Sequence, residues 1–513
     1  MKKIKKIREK IVLHPIMSFI ILILITIGIS GLLSLFDITS TYSTVNPKNY
    51  SLEPTMVAIE NLFSLSGIKY IFSNTVSNFA SFTPLSMLLI TLLGIGIMDK
   101  TGFLDTLFYV LTRKLRKNVV TFMLVLICIL SSIVGDISYI VLIPISALLF
   151  KYGKRNPQAG IITSFAAISS GIGLNIFLSS VDSNLLTYTT NAANILKEGY
   201  TINSSSFFLI MIIAIIALSF IITNITEKNI IPRLGKYEIN EEEEEKYVTK
   251  KEIKGLYISL IIGGIYLLVF IYNIIPGLPF SGNLLDYSQK LYIDKLFGYN
   301  SFFNSGFVFV ITMLFFILGL VYGIVTKKIK NQRDVCNDLS HSLDVMGKVL
   351  VLIFFASAFI SILKYSNIGT LLTSTFAKII STTTFTGLPL ILLVFVLTAI
   401  STLLLPASIN RWAILSPVVV PVLMNSGISP EFAQIIFRAG ESITYLLTPA
   451  MAYFVIYLAY MELYSQDKKD TGLFSSLKHM IPYSLGNLAM WIVIIIIWYL
   501  VSIPLGIGAS PVM

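Results

Sequence analysis

The feature that most limits the folds open to this chain is the spacing of its apolar runs. Stretches of about 20 nearly uncharged residues, the length that crosses a hydrocarbon layer as a helix, recur from residue 15 to residue 505, with short clusters of Lys and Arg between them. Only 13% of the 513 residues are charged and 55% are apolar, where a soluble domain carries about 25% charge. A soluble multi-domain enzyme, a disordered chain and a secreted disulfide scaffold are excluded. Cys128 lies in an apolar run and Cys336 in a basic loop, so neither a structural disulfide nor a zinc spacing is expected.

The net charge of +11 is spread over the clusters and forms no single patch. That distribution marks cytoplasmic loops rather than a nucleic-acid surface. The opening MKKIKKIREK leads into an apolar stretch from Ile16 to Leu35. It is too long for a signal peptide and no small-residue cleavage site follows, so it reads as an uncleaved first helix. Full crossings are expected near 15–37, 84–112, 160–185, 206–225, 256–274, 306–326, 346–366, 434–463 and 482–505. Within the second, Asp99 and Lys100 are read as a bend into an interfacial helix.

Two more apolar segments, 119–150 and 386–424, are too long for one helix, and each is broken at its middle. The first is flanked by Arg113, Lys114, Arg116 and Lys117 on one side and by Lys151, Lys154 and Arg155 on the other. Both of its ends therefore face the cytoplasm, as in a re-entrant hairpin. The second has almost no basic flanks, as expected of a hairpin inserted from the opposite face. With this topology 28 of the 38 Lys and Arg fall inside and six outside, which places the N-terminus in the cytoplasm and the C-terminus outside.

The expected fold class is an all-α polytopic membrane protein of nine transmembrane helices plus two re-entrant hairpins of opposite orientation. Residues 1–83 form the first helix and a periplasmic segment, 84–225 the first half, 226–255 a cytoplasmic linker and 256–513 the second half. The linker carries Glu241 to Glu245 followed by Lys246, Lys250, Lys251 and Lys254. Each half holds a hairpin followed by a helix broken by Gly, Ser or Pro, and the hairpins end alike, DISYIVLIP against SINRWAILSP. An inverted-topology repeat has this order of parts, and in such folds the site lies near the midplane where broken helices meet.

A charge at the centre of a membrane helix costs about 2.5–3.5 kcal/mol, and the exceptions here gather in the four special elements. Asp136 stands at the turn of the first hairpin, where it could also cap the second arm. Asp182 follows the first broken helix, as a functional carboxylate or as a turn residue. Arg411 lies in the second hairpin beside Asn410 and Trp412, and Trp412 either stacks on an aromatic substrate or packs. Arg438 and Glu441 share a helical face at i, i+3; they form a self-neutralising pair or an anion-recognising guanidinium with a proton- or cation-binding partner. Ser169, Ser170, Gly171, Gly173 and Asn175 mark an unwound stretch that could ligate sodium through freed carbonyls, or a close helix contact.

Four stretches carry a resemblance: NFASFTPLSMLLITLLGIGIMDKTGFLD, GDISYIVLIPISALLF, FAAISSGIGLNIFLSSVDSNLL and RWAILSPVVVPVLMNSGISPEFAQIIFRAGESITYLLTPAMAYF. In this order and over nearly the whole chain, they closely resemble the p-aminobenzoyl-glutamate transporter (AbgT) family. The resemblance implies a homodimer in the bacterial inner membrane, with nine spans and two opposed hairpins per subunit. It implies secondary transport, coupled to sodium or protons, of p-aminobenzoyl-glutamate or related folate breakdown products, and in some members export of sulfonamide antimetabolites. The family's substrate-pathway positions look like Asp182, Trp412, Pro430, Arg438, Glu441 and Pro449. Glu441 stands where the family usually has Asp. PASINRW replaces the typical GSASAKW, so Ile409 takes the place of a serine, and Ser132 and Thr402 stand where Asn precedes each hairpin tip.

The expected function is thus ion-coupled transport of a small organic anion, with no cofactor beyond sodium or a proton. The coupling residues expected are Asp136, Ser132, Ser169, Gly171, Asn175, Thr402 and Glu441, with a sodium site near the hairpin tips. A sodium/dicarboxylate carrier of the wider superfamily is the rival transport reading. An integral membrane transferase would need a catalytic cluster, such as an HExxH pair, that the three scattered histidines do not supply.

Overall fold

The computed structural model describes residues 13–176, 179–235, 237, 248–289, 292–297, 301–302, 306–341, 343, 346–466 and 472–513. The acidic run Glu241 to Glu245 and Lys246 lie outside the described residues. Helix α1 spans Pro15–Ser34, with Pro15 in its first turn and the His14 ring accepting the Ile16 amide. Strands β1 (Thr39–Val45) and β2 (Leu52–Ala58) then pair antiparallel, from Thr39 opposite Ala58 to Val45 opposite Leu52. This small sheet is an addition to the helical chain expected: Thr, Tyr and Val favour extended backbone.

The segment up to residue 83 holds more than the expected loop, because α2 (Leu65–Ala80) leads into α3 (Thr83–Lys100) as one apolar stretch of 36 residues. The chain turns at Thr101 and Gly102, and α4 (Phe103–Lys114) follows. The crossing expected over 84–112 therefore stops at Lys100, at the bend the adjacent Asp99 and Lys100 predicted.

Helices α5 (Lys117–Leu130) and α6 (Ile137–Tyr152) are joined by a tight turn from Ser131 to Asp136. The first interrupted helix consists of α7 (Pro157–Ser170) and α8 (Ser180–Ala193). Helix α9 (Phe208–Ile225) continues through a π-turn to Leu234. Next come α10 (Lys250–Tyr272), α11 (Phe307–Thr326), α12 (Gln332–His341), α13 (Met346–Tyr365) and α14 (Ile368–Thr382). The second helix–turn–helix segment is α15 (Gly387–Thr402) and α16 (Ser408–Asn425). The second interrupted helix is α17 (Pro430–Thr444) and α18 (Phe454–Leu463), and α19 (Leu473–Val501) follows.

Eight helical stretches among the described residues are long and apolar enough to cross a membrane. The segments 160–185 and 434–463, each expected as a broken helix, are pairs of shorter helices, bounded by Pro157 and Ala193 and by Pro430 and Leu463. Lys117–Val134 joins the long stretches because the turn extends α5 to 18 residues. The interruptions have local causes. Gly173 has φ +79, a backbone that L side chains avoid. Ser179 and Asp182 form a reciprocal capping box that starts α8. Pro449 cannot continue the helix begun by α17.

Helix α6 packs on α7 and α15 on α17, so each half lays one arm of its helix–turn–helix segment against the first part of its interrupted helix. Helix α16 packs on α8 and α17 also touches α8, which ties the halves together. Every residue of α7, and all of α17 from Pro430 to Ile443, is buried. By contrast α1 and α10 expose Leu24, Leu32, Ile261 and Leu268, apolar side chains of the kind that face lipid.

Candidate functional site

Helix α17 presents Arg438 and Glu441 one turn apart, with Nη1 of the arginine 2.5 Å from Oε2 of the glutamate. The other oxygen, Oε1, lies 2.8 Å from Nη2 of Arg411 on α16. From α8, Oδ1 of Asp182 accepts Nη2 of Arg438 at 3.0 Å. Ser408, at the start of α16, donates to Oε1 of Glu441 and accepts from Arg438 Nη1 at 3.4 Å. Arg411 and Glu441 are 0% exposed, Arg438 4% and Asp182 6%. Two guanidiniums and two carboxylates thus cancel in a site with little access to water, and such burial is tolerable only while every charge is paired.

A second layer orients these four. Ser179 donates through its amide and hydroxyl to Oδ2 of Asp182, at 3.2 and 2.7 Å. Asn175 Nδ2 donates to the same oxygen at 2.5 Å, and Ser132 in the first hairpin turn donates to Asn175 Oδ1 at 2.6 Å. Hydrogen bonds therefore run from that turn to Arg438. Arg411 Nη1 donates at 2.5 Å to the carbonyl of Leu405, in the non-helical link between α15 and α16. The Phe437 ring meets both Arg411, 5.1 Å from its centroid, and Trp412, whose ring centroid is 4.5 Å away. Trp412 Nε1 donates to Thr189 at 2.9 Å, and Thr189 donates to Gln434 at 2.6 Å.

Arg438, Asp182, Asn175, Gly173 and Gln434 line a cavity of about 30 Å³, which is water-sized and smaller than any organic anion. A Cβ at position 173 would come within 2.2 Å of Arg438 Nε, so glycine is what lets the guanidinium lie against this backbone. That buried Nε has no hydrogen-bond partner among the described residues. A guanidinium donates five hydrogens and accepts none, so Arg438 keeps donor capacity in the cavity wall for an anionic group.

Of the residues expected from the sequence, the fold brings together Asp182, Arg411, Arg438 and Glu441, and links Asn175 and Ser132 to them. Asp182 is both the partner of Ser179 in the capping box of α8 and an ion-pair member. Others stand elsewhere. Thr402 turns back to donate to the Thr398 carbonyl at 2.8 Å, and Ser169 meets Tyr139 at 3.2 Å. Gly171 closes α7 against Ile129. Asn410 is exposed, away from the ion cluster. Pro430 opens α17 two turns before Arg438, and Pro449 sits half-buried in the second interruption. Trp412 is fully buried against Phe437. Asp136 occupies the cap position of α6 without a capping bond and is exposed to a different cavity. Sequence reading missed Ser408, whose spacing of three before Arg411 was the available signal. It also missed Ser179, Thr189, Gln434 and Phe437, which nothing in the local sequence singles out.

A largely helical polytopic chain whose scarce charges meet where its helices are interrupted has the construction of a membrane transporter. The chain belongs to the AbgT putative transporter family, whose model matches residues 1–513. The p-aminobenzoyl-glutamate transport protein of Escherichia coli (strain K12) is 28% identical over 498 residues, which cover 97% of this chain and 94% of that protein. Two solved structures also align. The Alcanivorax borkumensis YdaH transporter is 29% identical over 96% of this chain and 100% of its own, with a TM-score of 0.48. Neisseria gonorrhoeae MtrF, described with a class of antimetabolite efflux pumps, is 30% identical over 98% of each chain, with a TM-score of 0.48.

Proposed function

We propose that this protein is an ion-coupled secondary transporter that moves a small aryl-bearing organic anion across the bacterial inner membrane by alternating access. One observation carries the reading: Arg438 is buried in a charge-balanced cluster at the meeting point of three interrupted elements, with an unpartnered donor in a cavity wall. A substrate carboxylate can take the place of Asp182 at Arg438. The cluster is already neutral, however, so an added anion leaves an uncompensated buried charge, which costs about 3–5 kcal/mol when a partner is missing. A proton or sodium ion arriving at Asp182 or Glu441 removes that cost, and this is the physical basis of coupling.

The transport reading takes the α5–α6 and α15–α16 segments as re-entrant hairpins of opposite orientation in an inverted repeat, with the two interrupted helices counted among nine crossings. The N-terminus is then cytoplasmic and the C-terminus outside. Subunits pair as homodimers in lipid, and the bundle of hairpins and interrupted helices moves against the rest. The name of the Escherichia coli relative favours p-aminobenzoyl-glutamate or a similar folate-type metabolite, and the MtrF description favours an antimetabolite as cargo. Two guanidiniums in one cluster also suit a C4 to C6 dicarboxylate, and competition by succinate against p-aminobenzoyl-glutamate separates the two. Uptake and efflux in proteoliposomes test the assignment. Arg438→Ala and Glu441→Gln are each expected to lower flux at least tenfold, about the effect of losing one charge-assisted hydrogen bond. Parent-like flux in both variants under every ion gradient refutes it.

A further inference from the structure

The first hairpin turn has two faces. Ser132 looks toward the ion cluster through Asn175, while Asp136 looks into a separate chamber of about 680 Å³. That is more than twenty times the volume at Arg438 and within the range that holds a small organic ligand. The chamber lies between the junction of α2 with α3, the last turn of α13 and the second interruption at Tyr453. Glu60, after β2, and Lys364 supply its other charges. Lys364 is exposed, and its ammonium has no partner among the described residues. Tyr70 and Tyr365, both in the wall, stack at 3.9 Å and 15°. The floor is tied to the core, since Tyr453 stacks on Tyr139 at 5.3 Å and Tyr139 meets Ser169 at the end of α7.

These groups define a ligand class. One ammonium among aromatic rings suits a molecule that carries an aryl group at one end and a carboxylate at the other, but Glu60 and Asp136 repel a plain dicarboxylate. A molecule with a carboxylate at one end and an aryl N–H donor at the other meets both signs. We propose that this chamber is a second substrate-binding site, one step ahead of the ion cluster, for an organic anion with an aminoaryl group at one end and a carboxylate at the other. Lys364 takes the carboxylate, the Tyr70–Tyr365 pair stacks on the ring, and Asp136 accepts the amine. The site rests on the transport reading and adds where the substrate waits before the hairpin turn admits it.

The test uses the full-length protein in nanodiscs, with labelled p-aminobenzoyl-glutamate and its benzoyl analogue that lacks the amine. The parent should bind p-aminobenzoyl-glutamate in a tight and a weak phase. Arg438→Ala should retain only the weak phase; Lys364→Gln should lose it, and Tyr365→Leu should weaken it. The benzoyl analogue should fill the weak phase less tightly. Lys364→Gln should also raise the transport KM about tenfold, the loss expected for one charge-assisted contact, with kcat unchanged. No binding or one phase in the parent, or a Lys364→Gln protein with parental binding and KM, overturns the chamber site. Parent-like flux in both Arg438→Ala and Glu441→Gln instead overturns the reading on which it rests, whatever Lys364→Gln does.

Discussion

Glu441 bridges two arginines, one through each oxygen, and this fork explains what a longer acid does at its position. A shorter aspartate reaches one guanidinium at the cost of the other. Glu441→Gln leaves two buried cations with one formal countercharge, so it should destabilise the protein by about 3–5 kcal/mol, read as a fall in melting temperature in detergent. Gly173 is the other decisive position, because its positive φ and the Arg438 Nε against it both exclude a side chain. Gly173→Ala should cost about 1–3 kcal/mol, as overpacking does, and abolish flux by displacing the guanidinium. If flux and melting temperature stay at parental values, Arg438 does not rest on residue 173 in the working protein.

At the level of elements, the two helix–turn–helix segments were legible to within about two residues. An apolar run of more than 30 residues with a break at its middle has few other ways to fold. The interruptions near Gly173 and Pro449 were legible too, because glycine and proline act locally. The β1–β2 hairpin and α14 were not. Thr39–Val45 and Ile368–Thr382 are rich in Ser and Thr, with no long apolar run to announce them, and although β1 pairs locally with β2, the packing of α14 on the sheet joins residues about 300 apart. The same limit hid the ion pair of Asp182 with Arg438, 256 residues apart. Helix contacts yield a further prediction. A Cβ at Gly440 would lie 2.6 Å from the Phe395 carbonyl on α15, whereas Gly264 on α10 has nothing within 4 Å. Gly440→Leu should pry α17 from α15 and lower the melting temperature, and Gly264→Leu should leave it unchanged. Equal shifts in the two would show that the close packing of α15 on α17 is not what Gly440 serves.

On the scale of the whole molecule, the proposed topology assigns each loop a side that chemistry can read. Cys336 on α12 is exposed and Cys128 is buried. A membrane-impermeant maleimide should therefore label one thiol per chain, and only from the cytoplasmic side. Labelling of Cys336 from outside intact cells would invert the topology and with it the assignment of both hairpins. The same topology puts the β1–β2 sheet on the opposite side; the sheet touches α14 and both α16 and α8, the helices that carry Arg411 and Asp182. In that topology it would be an extracellular handle resting on the helices that hold the ion cluster. A nanobody raised against that small sheet would grip the transport cycle without having to enter the lipid.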